Sequence, residues 1–267
     1  MIQISDLSFG YSAGEKIFDG LNLTLCVPGI YGLLGLNGSG KTTLLNLLSS
    51  LIFPDHGRVL IEGEDVTKRK TETLERVYYM PSEMLETTMK FQDFIKYYAP
   101  LYPYFNREVL SDCLEQFQVD ANERISNMSL GGKKKAFISF ALAVGAEILM
   151  LDEPTNGLDI PSKKIFRKLL MRYVGEKQKV IISTHLVGDV AHLLDYFIIL
   201  KEGGKAFGAS AIEITKKFAF IRQLENEGAL YAEPCAEGYK VIKPNEGEDT
   251  DIDIELLFNA VIEGDLT

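Results

Sequence analysis

Gly35-Leu36-Asn37-Gly38-Ser39-Gly40-Lys41-Thr42 decides the fold, because it fits G-x-x-x-x-G-K-[ST] without a mismatch and lies between an apolar strand and a helix. The strand is read from Ile30-Tyr31-Gly32-Leu33-Leu34, and the helix from the apolar spacing of Thr43-Leu44-Leu45-Asn46-Leu47-Leu48. Glycines let such a loop wrap an anion with its backbone N–H groups turned inward, and a helix starting near Lys41 adds the positive end of its dipole. The stretch therefore reads as a nucleotide phosphate clamp. Lys41 is expected to reach the β- and γ-phosphates and the Thr42 hydroxyl to ligand Mg²⁺, with Asn37, Gly38, Ser39, Gly40 and Thr43 completing the cradle.

Further along, Ile148-Leu149-Met150-Leu151 reads as a strand that delivers Asp152 and Glu153 to its C-terminal end, where ligands bind in open α/β sheets. Two adjacent carboxylates there divide the labour: Asp152 holds Mg²⁺ through its water shell, and Glu153 polarises a water for in-line attack on the γ-phosphorus. Ile182-Ser183-Thr184-His185 ends the next strand and brings His185 near the same phosphate as a donor.

Around these motifs the periodicity alternates. Ile2, Ile4, Leu7 and Phe9, then Leu21, Leu23 and Leu25, imply antiparallel strands before the phosphate loop, and Arg58–Gly63 and Val77–Met80 are two further strands. From about residue 83 to 145 the spacing turns helical, with Phe91, Phe94, Ile95 and Tyr98 followed by Val109, Leu110, Cys113, Leu114 and Phe117 on either side of Pro100 and Pro103. Ser129 is placed to cap the last helix of this insert. Beyond it come helices over Pro161–Val174 and Val187–Leu194, and strands over Lys179–Ser183 and Tyr196–Leu200. The fold class is α/β: a P-loop NTPase with a mostly parallel sheet, an N-terminal antiparallel β part, a helical insert subdomain and a small C-terminal appendix. Residues 1–208 form the ATPase domain in this reading, and 209–267 an α+β appendix ending in an amphipathic helix with acidic residues at its start.

Composition narrows the function. The chain has 267 residues, 46% of them hydrophobic and 25% charged, which suits a globular protein with a full core. A net charge of −10 argues against a general nucleic-acid binder, and the two basic runs, Lys68-Arg69-Lys70 and Lys133-Lys134-Lys135, read as solvated faces. Cys26, Cys113 and Cys235 are too scattered for a disulfide framework or a zinc site, so a reducing cytosol is expected. The start lacks the charged and apolar regions of a signal peptide. Ala136–Leu151, the longest apolar stretch, is interrupted by Glu147 and is shorter than the ~20 residues that cross a bilayer.

Between the phosphate loop and Asp152 lies Met128-Ser129-Leu130-Gly131-Gly132-Lys133, and Asp152 itself opens Asp152-Glu153-Pro154-Thr155-Asn156-Gly157-Leu158-Asp159. With these strings the chain resembles the ATP-binding cassette (ABC) family from Tyr11 to His185 and beyond. Ser129, Gly131 and Lys133 match a variant of its LSGGQ signature, while Leu130 and Gly132 depart from the commonest form. The resemblance implies that Tyr11 stacks on adenine, that Ser129 and Gly131 touch the γ-phosphate of ATP held by the other protomer, that Asp159 links the two sites, and that His185 is the switch histidine. It further implies a dimer, with a second copy or a paralogous ATPase. Where the family usually carries Gln after a strand like Val77–Met80, this chain has Ser82 followed by Glu83.

The leading expectation is the ATP-hydrolysing subunit of an exporter, peripheral on the inner face of the cell membrane and working through a separate transmembrane permease subunit. The variant signature and Tyr102-Pro103-Tyr104-Phe105-Asn106-Arg107-Glu108 look most like ABC-2 exporters. The alternative is a soluble non-transport ABC ATPase of the cluster-assembly or regulatory scaffold type. A GTPase or small-molecule kinase needs an N-K-x-D motif or a lid, and neither is found.

Overall fold

Alternating apolar side chains in the first thirty residues produce β1 (Ile2–Phe9) and β2 (Phe18–Leu25), paired antiparallel with Ile2 opposite Leu25. Next come β3 (Gly29–Gly35), α1 (Lys41–Leu48), β4 (His56–Ile61), the short β5 (Glu64–Asp65), α2 (Thr71–Leu74) and β6 (Val77–Met80). The helical stretch gives α3 (Phe91–Tyr98), α4 (Arg107–Phe117) and α5 (Leu130–Ala143), with a single 3₁₀ turn over Ala99–Leu101 where Pro100 breaks the helix. After it follow β7 (Ile148–Asp152), α6 (Ile160–Tyr173), β8 (Lys179–Thr184), β9 (Tyr196–Leu200) and β10 (Ala206–Ser210). The chain ends in α7 (Ala211–Lys217), β11 (Phe218–Gln223), β12 (Tyr231–Cys235), β13 (Gly238–Pro244) and α8 (Ile254–Glu263). This computed structural model describes every residue except Ala13, Glu202, Asp265 and Thr267.

The central sheet has the order β10-β9-β3-β8-β7-β6, parallel except for β10 at the edge. All five residues of β7 and all six of β8 are buried, because helices or a second sheet cover both faces. On one face the antiparallel sheet β2-β1-β4-β5 and the leucines of α1 (Leu44, Leu45, Leu47, Leu48) close an apolar cluster over Tyr31, Leu33, Met150 and Ile198. On the other face the helical insert packs down. Phe140 of α5 is fully buried and meets Phe94, Phe105 and Tyr78 at ring separations of 5.0, 5.1 and 5.8 Å, which welds the insert to β6.

Beyond α7 the chain forms a three-stranded antiparallel sheet, β11-β13-β12, covered by α8. Leu256, Leu257, Ala260 and Val261 of α8 are buried in the same apolar cluster as the insert and the central sheet. Asp253 caps α8, accepting from the Leu256 N–H, and pairs with Lys240 at 2.7 Å.

One expected helix is absent. Val187–Leu194 forms two separate 3₁₀ turns, Val187–Asp189 and Ala191–Leu193. Gly188 and the β-branched Val187 and Val190 weaken so short a helix, and Asp189 is drawn off to Lys163 at 2.6 Å and Thr155 at 3.0 Å. Besides β11, β12 and β13, which the sequence pattern left unplaced within an α+β appendix, it also missed β10, whose small residues carry no alternation, and the two-residue β5.

Candidate active site

The phosphate loop leaves the carboxyl end of β3 and enters α1 at Lys41. Gly38 and Gly40 have φ of +83° and +94°, the left-handed region in which a side chain is strained. At Gly40 a Cβ would also lie 2.7 Å from the Phe18 ring, so glycine is required twice over. The resulting concave backbone carries a buried Ser39 hydroxyl with no hydrogen-bond partner, and Lys41 folds back so that Nζ donates to the Gly35 and Leu36 carbonyls at 2.8 and 3.0 Å. Burial pulls the Lys41 amine below its ordinary value, and Glu153 and Asp152 offset part of that. An orphaned hydroxyl and a buried ammonium on a glycine cradle are the donor set that phosphate oxygens satisfy.

Asp152, fully buried at the end of β7, is the hub. Its Oδ2 accepts from the Thr42 hydroxyl at 2.8 Å and from the Tyr79 hydroxyl at 3.3 Å, and its Oδ1 accepts from the Ser183 hydroxyl. Burial, with Asp152 beside it, pushes the Tyr79 phenol upward, so the ring stays a neutral donor. Thr42 and Asp152 therefore present two oxygens side by side at the mouth of the loop, and with phosphate and water they fit the hard, oxygen-rich shell of Mg²⁺. Glu153 has φ +48°, unusual for a glutamate. Its N–H donates to the Ser183 carbonyl and hydroxyl at 3.1 Å each, its Oε1 lies 2.8 Å from His185 Nδ1, and its Oε2 is buried without a partner. A buried carboxylate oxygen with no partner, beside a histidine, is an arrangement able to accept a proton.

Other expected residues lie at the rim. Tyr11 is 63% exposed, stands edge-on to Phe9 with centroids 5.1 Å apart, and its hydroxyl is 3.4 Å from that of Thr43. Ser129 caps α5 by accepting the Gly132 N–H at 3.1 Å, and a Cβ at Gly131 would lie 3.0 Å from the Gly157 carbonyl, which packs this turn on the loop that ends at Asp159. Asp159 caps α6, and hydrogen bonds from Ser162 hold its carboxyl below the usual range. Among the described residues no hydrogen bond joins Ser129, Gly131 or Asp159 to the phosphate loop. After β6, Ser82 is half-buried and Glu83 exposed.

Sequence reasoning missed three contributors. Ser183 was detectable as a polar residue inside an apolar strand, since buried polar groups need partners. Tyr79 gave no such sign, as tyrosine is at home in any strand. Lys134 was misread: the run Lys133-Lys134-Lys135 is not a solvated face, because Lys133 is buried against Glu86 and Lys134 is 2% exposed with Nζ 2.7 Å from the Glu153 carbonyl.

Comparison with known families gives a match to the ABC transporter model over residues 18–156, from β2 to the turn after Glu153. This chain belongs to the ABC transporter family. It is an ATP-binding, ATP-hydrolysing subunit that energises transport. Among its relatives, the ABC transporter ATP-binding protein NatA of Bacillus subtilis is 30% identical over 213 residues, which span 76% of this chain and 87% of that protein. The bacitracin transport ATP-binding protein BcrA of Bacillus licheniformis is 33% identical over 209 residues, spanning 76% and 67%. In fold, the chain resembles the dimeric structure of an ATP-binding cassette in a post-hydrolysis state bound to ADP and Pi, with a TM-score of 0.65 and 21% identity over 79% of this chain and 98% of that one.

Proposed function

We propose that this ABC subunit drives export through a separate transmembrane permease subunit, bound on the cytoplasmic face of the membrane as one half of an ATP-closed dimer. The observation that carries the reading is the chain of contacts Thr42–Asp152–Ser183–Glu153–His185 along the carboxyl edge of the central sheet, opposite the Lys41 loop. Lys41, Ser39 and the loop N–H groups hold the β- and γ-phosphates, the exposed Tyr11 ring stacks on adenine, and Glu153 takes the proton from the attacking water while His185 keeps its carboxylate aimed. Thr42 and Asp152 would hold Mg²⁺, which would supply positive charge against the charge that develops on the leaving group. Ser129 and Gly131 point the start of α5 at the nucleotide of the second protomer, a copy of this chain or a paralogue, and Asp159 lies in the loop between the two sites.

NatA and BcrA are both named as transport ATP-binding proteins, which favours this reading over a non-transport scaffold. No helix among the described residues is long and apolar enough to cross a membrane. The helical insert offers a docking face for the permease: Tyr97, Leu101 and Tyr104 are 61, 60 and 72% exposed around one bend. Coexpressed with its permease, the chain is expected to copurify with it, and Tyr97→Ser with Leu101→Ser is expected to abolish stimulation by the permease while leaving the rate of the isolated subunit within about twofold. Full stimulation of that variant removes the insert from the contact. Glu83, exposed in the loop after β6, is expected to behave likewise: Glu83→Ala alone stays within about threefold of the parent turnover, and a tenfold fall puts Glu83 among the groups that position water.

A further inference from the structure

Lys134 has no part in the chemistry described so far, yet it is among the most deeply buried charged residues of the chain. A buried ammonium is costly to desolvate, and an apolar side chain of similar volume would pack there at lower cost. Its surroundings explain what it does. Nζ donates to the Glu153 carbonyl at 2.7 Å, from the second turn of α5. That carbonyl belongs to the residue in the left-handed conformation, a backbone state that persists for a side chain only where the surroundings over-determine it. The Glu153 N–H is held by Ser183 and the Asn156 N–H closes a turn onto the same carbonyl at 3.3 Å, so Lys134 is the side chain that fixes the carbonyl half of the peptide plane. The left-handed turn rotates the Glu153 side chain out of the β7 alternation and sets its Oε1 against His185.

We infer that Lys134 is a positioning residue for hydrolysis, holding the Glu153 main chain in its left-handed turn so that the carboxylate faces the attacking water. Burial lowers the Lys134 amine from its ordinary value, and Asp152 and Glu153 offset part of that. The link has a second consequence. Ser129 starts the same helix five residues earlier, about 7.5 Å along its axis, so a shift of α5 when its signature turn meets the second protomer's nucleotide reaches Glu153 through one side chain. The inference rests on Glu153 being the base.

The test is steady-state and single-turnover ATP hydrolysis by the full chain. Lys134→Met is expected to lower kcat at least tenfold with KM for ATP within about threefold and an unfolding midpoint no lower than the parent's, since it exchanges a buried amine for an apolar group of similar volume. Lys134→Gln, which keeps an N–H donor at nearly the same reach, is expected to recover at least threefold over Lys134→Met. In the Glu153→Gln background, Lys134→Met is expected to add no further loss, as for residues that act as a unit. Parent turnover in Lys134→Met, a Gln variant as slow as the Met variant, or additive losses overturn the inference while leaving the base assignment intact. Parent turnover in Glu153→Gln alone overturns the base assignment and, with it, this role for Lys134.

Discussion

Glu153→Gln is expected to bind Mg-ATP as the parent does and to hydrolyse it at least about a hundredfold more slowly, the lower end of what a positioned general base contributes. The substitution changes one atom. The amide still reaches His185, which lies 2.8 Å from Oε1, and the backbone bonds to Ser183 and Lys134 do not involve the side chain, so the turn and its geometry persist. What disappears is the basicity of Oε2, the buried oxygen that has no protein partner. Thr42 and Asp152, the pair that fits Mg²⁺, are untouched, so nucleotide affinity stays within about threefold. Trapped before hydrolysis, the variant is also expected to sediment as a dimer with Mg-ATP and as a monomer without it, because a ligand bound across an interface stabilises it by mass action. Hydrolysis above about a tenth of the parent rate removes Glu153 from the role of base. An unchanged sedimentation coefficient at every protein concentration removes the ATP-closed dimer.

The parts of this site that were legible in the sequence are those in which geometry forces the residue type. The phosphate loop announces itself because Gly38 and Gly40 occupy conformations that other residues resist, and because the apolar run before it and the helical spacing after it leave no other arrangement. Asp152 and Glu153 stand out as charge at the end of a wholly apolar strand. The partners of those residues were harder to see. Tyr79 and Asp152 are brought together only by the parallel register that sets Tyr79 opposite Met150 and Met80 opposite Leu151, and no local pattern encodes which strands pair. Lys134 was hidden by its neighbours: a run of three lysines at a helix start looks solvated until the insert folds over it, and tertiary burial overrides local composition. The Val187–Leu194 segment failed for a related reason, since its apolar spacing is helical but its conformation is set by Asp189 reaching across to α6. The C-terminal sheet had short, polar-edged strands that read as an α+β region without fixed boundaries, and its core lies against α8 and the central domain, where no sequence window spans both sides.

Lys41→Ala carries the other large effect, with the loss falling on binding. In the structure Nζ is held by two carbonyls of its own loop, at 2.8 and 3.0 Å, and is almost fully buried. Those bonds preorganise the ammonium at the cradle's centre, so on binding it exchanges carbonyl oxygens for charged phosphate oxygens, and a hydrogen bond to a charged group contributes about 1.5–3 kcal/mol. Losing two such bonds weakens ATP binding by roughly a hundredfold or more, and hydrolysis falls with it because the same charge stabilises the transferring phosphoryl group. The fold should survive. Removing a desolvated ammonium offsets much of the loss of the two loop bonds, α1 keeps its four buried leucines, and Asp152 keeps Thr42, Tyr79 and Ser183 as donors. Calorimetric titration with Mg-ATP and a thermal melt of the same sample separate the two claims: binding lost with the melting temperature within a few degrees of the parent is the expected pair. Parent-like affinity takes Lys41 out of the phosphate site. A collapse in melting temperature instead makes its contacts to Gly35 and Leu36 structural, because those two carbonyls are then what the lysine is there to satisfy.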